Sequence, residues 1–290
     1  MTVLKKCILE VVNLLCNNSL AFFCAKRLKL FHAVFVMYPA NKSFAGHYTF
    51  AWTQERIKWR PFITGIIKHP NNTRTLIFAI SATEDELSSD SWADTVRNMY
   101  RHIVSIQKSV GASSNHLAGI LPGRLVHLRI KRSNDEQVAT VENVIKAVHQ
   151  LRGRLEHDST NVVILLGHKG FIGREVMRLL MLEGIAIVGI DVGDTFTAPN
   201  RAHLIVNITR PEVINGYVRS FTHNSVLLNE VYPAPHHDVI AEILERGGSV
   251  YHIAGVRACA TPSFPFSYKG AIPCCAAIPQ VSYNPIVIEL

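Results

Sequence analysis

The segment from Asn161 to Asp191 constrains the fold more than any other part of the chain. It begins with the uninterrupted apolar run NVVILL, which is typical of a strand buried on both faces of a sheet. The glycine-rich turn GHKGFIG follows at once, and a helical pattern then runs from Arg174 to Glu183. A second apolar run, Ile185 to Ile190, ends at Asp191. This order predicts two parallel strands joined by a helix.

The glycine turn has the spacing GxxGxxG. In a turn that leads from a strand into a helix, the first glycine permits the tight bend and the second lets the backbone approach a diphosphate. The third lets the helix pack closely on the strand. The N–H groups at the start of such a helix favour an anion. A dinucleotide site is therefore predicted at Gly167, His168, Lys169, Gly170, Phe171, Ile172 and Gly173.

Asp191 lies at the end of the second strand, about 20 residues after the glycines, where a carboxylate accepts hydrogen bonds from the ribose of a nicotinamide dinucleotide. A negative charge at that place repels the 2′-phosphate of NADP, so the sequence favours NAD as the cofactor. The basic residues His168, Lys169 and Arg201 keep NADP open as the alternative.

Three further apolar runs are typical of core strands in the same sheet, namely His203 to Ile208, Ser225 to Asn229 and Ser249 to Ala254. Residues 161–290 are therefore predicted to form an α/β domain of the Rossmann class, with a doubly wound, mostly parallel sheet.

Ligands of such a domain bind beyond the carboxyl ends of its strands. Four residues of this chain follow or end the predicted strands: Thr209, Arg210, Tyr232 and His252. Thr209 and Arg210 are predicted to contact the cofactor, and Tyr232 is predicted to contact the substrate.

The chain before residue 135 alternates strand and helix patterns as well. Apolar and β-branched runs predict three strands, Ala33 to Tyr38, Phe62 to Ile67 and Thr75 to Ile80. The apolar spacing from Ser91 to Val110 predicts a long helix. Residues 1–134 are predicted to form a smaller N-terminal α/β domain with a substrate-binding or catalytic role. Residues 135–160 are predicted to contain the helix that links the two domains, which runs from Asp135 to Leu151.

The composition narrows the partners. The formal net charge of +8 and a pI near 9.3 favour an anionic partner such as a nucleotide or an acidic carrier protein. No Lys/Arg-rich run with interleaved aromatic residues occurs, so nucleic acid is not predicted. The six cysteines form no CxxC pair, which predicts reduced thiols, a cytoplasmic location and no structural metal site.

The N-terminal stretch is apolar after Lys5 and Lys6, but polar residues interrupt it, so we predict neither a signal peptide nor a membrane span. The helical spacing of its apolar residues predicts an amphipathic helix that packs on the domain through Ile8, Val11, Val12 and Leu15. Contact with a membrane surface or a lipid substrate is the alternative.

Several segments resemble a known family. Their motifs are similar to those of a group of predicted dehydrogenases. The segments are His32 to Tyr48, Phe62 to Ile66, Ile106 to Gly111 together with Leu117 to Leu121, the glycine turn, and Leu228 to Pro233. These dehydrogenases are related to the aldehyde-forming long-chain acyl-(acyl-carrier-protein) reductases, of the two-domain group that includes shikimate dehydrogenase. The resemblance implies an NAD(P)-dependent enzyme that reduces an acyl thioester to an aldehyde.

The resemblance also implies a cysteine that takes up the acyl group before hydride transfer. The matching segment is Ile272 to Ala277, which gives Cys274 the role of nucleophile. Such a thiol needs a nearby cation or helix N-terminus to form the thiolate, and Lys269 and His252 are the candidates. The substrate partner would be an acyl-carrier protein, coenzyme A or a small molecule.

Two other hypotheses stay open. The two-domain layout is also similar to shikimate dehydrogenase and methylene-tetrahydrofolate dehydrogenase, which act on small carbonyl or imine substrates and need a lysine facing the nicotinamide. Lys58 and Lys68 are available for that role. The other hypothesis is a non-catalytic NAD(P)-binding regulatory protein. Dehydrogenases are commonly symmetric oligomers, so a homodimer is expected.

Overall fold

The computed structural model describes residues 2–39, 46–131, 135–153, 162–195, 203–265, 268, 270–279 and 281–290. The chain forms two compact units. The first contains Met1–Ala139 and Val256–Tyr283, and the second contains Thr140–Gly255 and Asn284–Leu290. By these bounds the N-terminal unit is the larger of the two, whereas the sequence predicted the smaller domain there.

The helices of the described residues, in chain order, are α1 (Val3–Cys16), α2 (Ser19–Arg27), α3 (Ala51–Arg56), α4 (Glu84–Ser88), α5 (Ala93–Val110), α6 (Leu121–His127), α7 (Asp135–Arg152), α8 (Phe171–Leu182), α9 (Pro211–Ile214) and α10 (His237–Glu245). The strands are β1 (Ala33–Met37), β2 (Phe62–Lys68), β3 (Arg74–Ala79), β4 (Ser114–Leu117), β5 (Val163–Leu166), β6 (Ile187–Ile190), β7 (Leu204–Asn207), β8 (Val226–Asn229), β9 (Ser249–Arg257), β10 (Cys259–Thr261), β11 (Ala271–Ile272) and β12 (Pro285–Glu289).

The first unit is built on a mixed sheet with the strand order β10-β2-β3-β1-β4. Strand β1 pairs in parallel with β3 and β4, whereas β2 runs antiparallel to β3 and to β10. The three predicted strands of this region are confirmed, with ends shifted by one residue or none. Helix α5 is also confirmed, and it packs its apolar stripe into the core of this unit through Val96, Met99, Ile103, Ile106 and Val110.

Helix α6 was not predicted from the sequence. It follows β4 directly, and Pro122 lies in its first turn. A proline is tolerated there because the first N–H groups of a helix have no partner within the helix. The apolar run that contains Leu121 thus leads from a strand into a helix, and the helix buries Leu121 and Leu125.

The second unit is an α/β layer structure around a parallel sheet with the order β9-β8-β7-β5-β6, and β12 pairs with β9. Numbered from β5, the parallel strands follow the doubly wound order 2-1-3-4-5. The predicted fold class, α/β with a mostly parallel sheet, is confirmed. The chain leaves β5 toward β6 on one side and returns to β7 on the other, so the topological switch point lies between β5 and β7.

The segment Val256–Tyr283 belongs to the first unit, although the sequence predicted it within the Rossmann domain. The reason is strand pairing that the local pattern does not reveal. Strand β10 pairs with β2, and a Cβ on Gly65 would lie 2.5 Å from the carbonyl oxygen of Thr261. The hydroxyl of Tyr283 also lies 2.7 Å from Nδ1 of His69. The helix predicted from Asp135 to Leu151 is observed as α7, and the division between the two units falls within it, between Ala139 and Thr140.

The N-terminal helix is confirmed as α1. Of the four residues predicted to pack on the domain, Val12 does so, since it is half-buried against the core of the first unit, and the prediction was wrong for the other three. Ile8, Val11 and Leu15 are exposed, and Leu9 is the buried residue. Three polar side chains, Glu10, Asn13 and Asn17, also attach the helix. In the part of the chain that the structure describes, no single helix is long and apolar enough to cross a membrane. Helices α1 and α2 meet that requirement only when combined, and they are bent by 84°.

Candidate functional site

The glycine turn leaves β5 at the switch point of the second sheet. Gly167 has a φ of +90°, which side-chain-bearing residues rarely adopt, and a Cβ there would lie 2.7 Å from Cγ2 of Thr209. Its N–H donates to the carbonyl of Ile190 at 2.8 Å, and the N–H of Gly170 donates to the carbonyl of Gly167 at 3.0 Å. The first glycine therefore permits the bend that its spacing predicted.

Helix α8 packs directly onto the backbone of this turn. A Cβ on Gly173 would lie 2.1 Å from the carbonyl oxygen of Gly167 and 2.9 Å from Cα of His168. Only a hydrogen atom fits between them. The third glycine of the motif thus sets the distance between helix and strand, as such a motif requires.

The start of α8 is open to an anion. Gly170 is the N-cap residue, no side chain caps the helix, and no acidic residue lies in its first turn. The N–H groups of a first helical turn lack intrahelical partners and carry a partial positive charge. This end of the helix lies at the switch point, where open α/β sheets bind their ligands. Diphosphate oxygens fit this donor set.

Asp191 follows β6, as predicted, and it also fastens the glycine turn. Its Oδ2 accepts a hydrogen bond from the N–H of Lys169 at 2.9 Å, and its Oδ1 accepts one from the N–H of Val192 at 2.8 Å. A carboxylate has about four lone-pair sites, so two remain for ribose hydroxyls. The fastening role could not be read from the sequence, because it depends on where the turn passes β6.

Asp194 completes this corner. Its Oδ2 accepts a hydrogen bond from the N–H of Asp191 at 2.8 Å, which holds the pKa of the Asp194 carboxyl below its usual range. The ammonium of Lys169 lies 3.5 Å from the same oxygen. Tyr217 donates its hydroxyl proton to the carbonyl of Asp191 at 2.6 Å. The ammonium group of Lys169 is therefore paired with the carboxylate of Asp194.

His168 belongs to the glycine turn, and its side chain packs against the neighbouring strand β6. A Cβ on Gly189 would lie 2.4 Å from Cγ of His168, so the ring covers the backbone of β6. Of the other predicted cofactor residues, Thr209 and Arg210 follow β7 at the switch point, and Arg210 is exposed. Arg201 and Lys269 lie outside the described residues.

A buried row of polar side chains crosses three adjacent strands, at the carboxyl ends of β7 and β8 and in the middle of β9. Asn207 of β7 pairs in register with Asn229 of β8, and Asn229 pairs in register with His252 of β9. All three are at most 1% exposed. We refer to these three residues as the polar row. His252 was predicted from the sequence, whereas the two asparagines were missed. The signal was present, since each residue is the one polar interruption near the end of an apolar run.

The direction of the hydrogen bonds in the polar row is fixed at its Thr209 end. Oδ1 of Asn207 accepts from the N–H of Thr209 at 3.1 Å, so Nδ2 of Asn207 donates to Oδ1 of Asn229 at 2.7 Å. Nδ2 of Asn229 then donates to Nδ1 of His252 at 3.0 Å. Because Nδ1 accepts, a neutral His252 carries its proton on Nε2. That Nε2 is buried and has no hydrogen-bond partner among the described residues.

Burial shifts the pKa values of two titratable groups, His252 and Glu230, in opposite directions. Burial lowers the pKa of His252 to about 4, so the imidazole is neutral at pH 7 and acts as a hydrogen-bond donor rather than as a cation. Burial raises the pKa of Glu230, the residue after β8, to about 7. Tyr232, the predicted substrate contact, has its ring centroid 6.5 Å from that of His252. With a pKa of about 7, the Glu230 carboxyl is partly protonated at neutral pH.

The predicted nucleophile lies in the first unit. Cys274 is buried in a single 3-10 turn, Cys274–Ala276, which Pro273 precedes. The N–H of Ala277 donates to the carbonyl of Cys274 at 3.1 Å and closes this turn. Thiols that react as nucleophiles are commonly at least partly exposed.

One group of metal-ligating side chains occurs among the described residues, although the sequence predicted none. His236, His237 and Asp238 place three ligand atoms within 4.8 Å of one another at the start of α10. All three are exposed, and both histidines pair with Asp238, at 3.1 and 2.7 Å.

No protein-family model matches the chain, and no curated protein matches it. Among solved structures, it is similar to the bifunctional methylenetetrahydrofolate dehydrogenase/cyclohydrolase FolD from Campylobacter jejuni, at 13% identity and a TM-score of 0.32, over 79% of this chain and 80% of that one. A second is the TT0316 protein from Thermus thermophilus, at 12% identity and a TM-score of 0.29, over 76% and 81%.

A third similar structure is a D-2-hydroxyisocaproate dehydrogenase, at 11% identity and a TM-score of 0.24, over 74% of this chain and 76% of that one. Likenesses at this level give no basis for inferring a function.

Proposed function

We propose that the second unit binds a nicotinamide dinucleotide along the carboxyl edge of its sheet, and that the protein is an NAD(P)-dependent oxidoreductase. The uncapped start of α8 at the switch point is the observation that carries this proposal. The close packing of Gly173 on Gly167 supports it, because it keeps the turn backbone free of side chains. The helix start would bind the diphosphate, and Asp191 would bind the adenine ribose.

NAD is the favoured cofactor. A 2′-phosphate beside Asp191 would place negative charge against a carboxylate that two backbone N–H groups already hold in place. The nearby Lys169 is directed toward Asp194, which reduces its value as a partner for that phosphate. Both observations support NAD over NADP.

The polar row supports a role at the reactive end of the ligand. A buried donor without a partner costs on the order of 1–3 kcal/mol, and a ligand oxygen that accepts from Nε2 of His252 would remove this cost. The nicotinamide supplies or accepts a hydride when it is bound. A carbonyl that receives a hydride at carbon also needs a proton at oxygen. Glu230, with a pKa near 7, is our candidate for that proton donor.

Reduction of an acyl thioester is the finer form of this proposal, and it rests on the resemblance of the segment Ile272 to Ala277. The thiolate of Cys274 would attack the thioester carbon and release the carrier thiol. Hydride transfer to the new thioester would then release the aldehyde and the cysteine thiolate. Replacement of Cys274 by alanine tests this form. Loss of thioester reduction with intact NADH binding supports it, and unchanged turnover contradicts it.

Calorimetric titration with NADH and NADPH tests the cofactor proposal. We expect uptake of NADH, and we expect Asp191→Asn to shift the affinity ratio toward NADPH by about tenfold, since it removes a full charge near the 2′-position. Asp85→Asn, an exposed acid of the first unit, is the matched control and should leave the ratio unchanged. Absence of heat with both nucleotides for folded protein contradicts the proposal.

A further inference from the structure

The outward side of α1 is apolar along its whole length. At 100° per residue, the side chains of this side fall within an arc of about 140° on the helix surface. We call it the outer face of α1, and it consists of Val3, Leu4, Cys7, Ile8, Val11, Leu14 and Leu15. Every one of these side chains is exposed, and Leu14 reaches 81%. An exposed apolar surface of this extent marks an interaction site.

The opposite side of α1 holds the helix on the first unit through two apolar side chains, Leu9 and Val12, and through polar side chains. Asn13 binds the backbone of Ile63 twice, donating to its carbonyl and accepting from its N–H, both at 2.7 Å. Asn17 donates to the carbonyl of Pro61 at 3.2 Å. Glu10 accepts from the hydroxyl of Thr53 at 2.5 Å. These polar contacts hold this side of the helix against the protein, so the apolar outer face is exposed to solvent.

Helix α2 extends this surface. Phe22 and Ala25 are buried, and the ring of Phe22 packs on Phe78 with centroids 6.5 Å apart. Leu20 and Phe23 remain exposed, at 72% and 64%. The short helix is thus attached through one side and leaves large apolar side chains on the other.

The same region is strongly basic. Residues 2–31 contain five lysines and arginines and a single acidic residue, Glu10, which gives a net charge of +4. Lys5, Lys26, Arg27 and Lys29 are all exposed. An apolar helix face that is accompanied by basic side chains is the pattern of helices that lie in the interface of an anionic bilayer.

We propose that α1 and α2 dock the protein on an anionic lipid surface, with α1 lying in the plane of the interface. The outer face would enter the boundary between headgroups and acyl chains, and the basic side chains would bind lipid phosphates. A second copy of the chain is the poorer occupant of this surface, because a symmetric interface would bring two equal positive charges together. The 84° bend between the helices also fits a surface contact, since each helix can lie flat.

Flotation of the full-length protein with vesicles tests this proposal. We expect binding to vesicles of phosphatidylcholine and phosphatidylserine, and much weaker binding to phosphatidylcholine alone. The double variant Leu14→Ser/Leu15→Ser should lower the partition coefficient by on the order of a hundredfold, because each leucine contributes at least a factor of ten when buried. Lys5→Gln and Arg27→Gln should each lower it about fivefold at low salt.

The matched control is Leu182→Ser, which replaces a leucine that is 72% exposed on α8 in the second unit. It should bind vesicles as the unaltered protein does, and circular dichroism should show that all variants are folded. Failure to bind anionic vesicles overturns the proposal. A dimer in light scattering that Leu14→Ser/Leu15→Ser dissociates also overturns it, since the surface would then be covered by a second copy.

Discussion

Asn229 donates a hydrogen bond to Nδ1 of His252 at 3.0 Å, and this bond fixes the proton of the imidazole on Nε2. The two residues stand side by side in register on β8 and β9. Asn229 is in turn held by Asn207 and by the carbonyl of Val231. The orientation of the buried donor at this edge therefore depends on an amide that touches no ligand in our proposal.

Replacement of Asn229 by alanine should destabilise the protein by about 2–4 kcal/mol. The change leaves Nδ1 of His252 buried without its partner and leaves Nδ2 of Asn207 only its longer bond to the carbonyl of Thr209, at 3.3 Å. A buried group that loses its partner costs about 1–3 kcal/mol. The free energy of unfolding in urea measures the effect. Asn215→Ala, at an exposed position of the same unit, should change stability by less than about 0.5 kcal/mol. Equal free energies of unfolding for the two variants would show that the polar row does not contribute to stability.

Gly173→Ala should be strongly destabilising, by about 3 kcal/mol or more, because the new Cβ would lie 2.1 Å from the carbonyl oxygen of Gly167. Gly123→Ala is the matched control on α6, where a Cβ meets no atom within 4 Å and alanine is the better helix former. Thermal unfolding of both variants measures the contrast. A Gly173→Ala protein as stable as the control would mean that α8 does not pack on the turn as described.

Stability should fall as the pH is lowered through the range from 6.5 to about 4. Burial lowers the pKa of His69 and of His252 to about 4 and that of His116 to about 3, so the unfolded chain binds these protons first. The contribution of each neutral buried histidine to the free energy of unfolding is complete above pH 6.5, and it is lost as the pH falls through the pKa of that histidine in the folded protein. It amounts to on the order of 3 kcal/mol for each histidine.

Urea unfolding at a series of pH values checks this slope. His116→Gln should make the dependence shallower between pH 6 and 4, whereas His102→Gln, an exposed position on α5, should not. A slope that is the same in both variants would contradict the assignment of a buried neutral His116.

The sequence predicted the parts of the fold that depend on neighbouring residues. The succession from Val163 to Asp191 is set by local periodicity and by the glycines, and the structure reproduces its strands and helix. The face that α1 buries could not be predicted in this way. Periodicity shows that Ile8, Val11 and Leu15 share a side, but the acceptors that attract Asn13 and Asn17 belong to β2 and the residue before it, far along the chain.

The candidate site divides in the same manner. The glycine turn and Asp191 follow from a contiguous pattern, whereas the polar row requires the register between β7, β8 and β9. The return of the segment Val256–Tyr283 to the first unit is also a long-range pairing, and it places Cys274 there rather than in the second unit. Long-range pairing of this kind leaves no period in the sequence.

A paired substitution at the start of α8 tests the central claim most directly. Gly170 has N-cap geometry with φ −68° and ψ 169°, which serine and aspartate adopt readily, and both residues stabilise a helix as N-caps. The new Cβ would lie 3.1 Å from the carbonyl oxygen of Gly167, a contact that a small backbone shift relieves, and this cost is the same in both variants. Both variants should therefore be folded and equally stable. They differ in charge at the place where the diphosphate would bind. Calorimetric titration with NADH should show weaker binding to both variants than to the unaltered protein, because either side chain caps the helix start. The affinity of Gly170→Asp should be at least tenfold weaker than that of Gly170→Ser, because only aspartate adds a negative charge beside the diphosphate. Equal NADH affinities for the two folded variants would contradict a diphosphate site at this helix start.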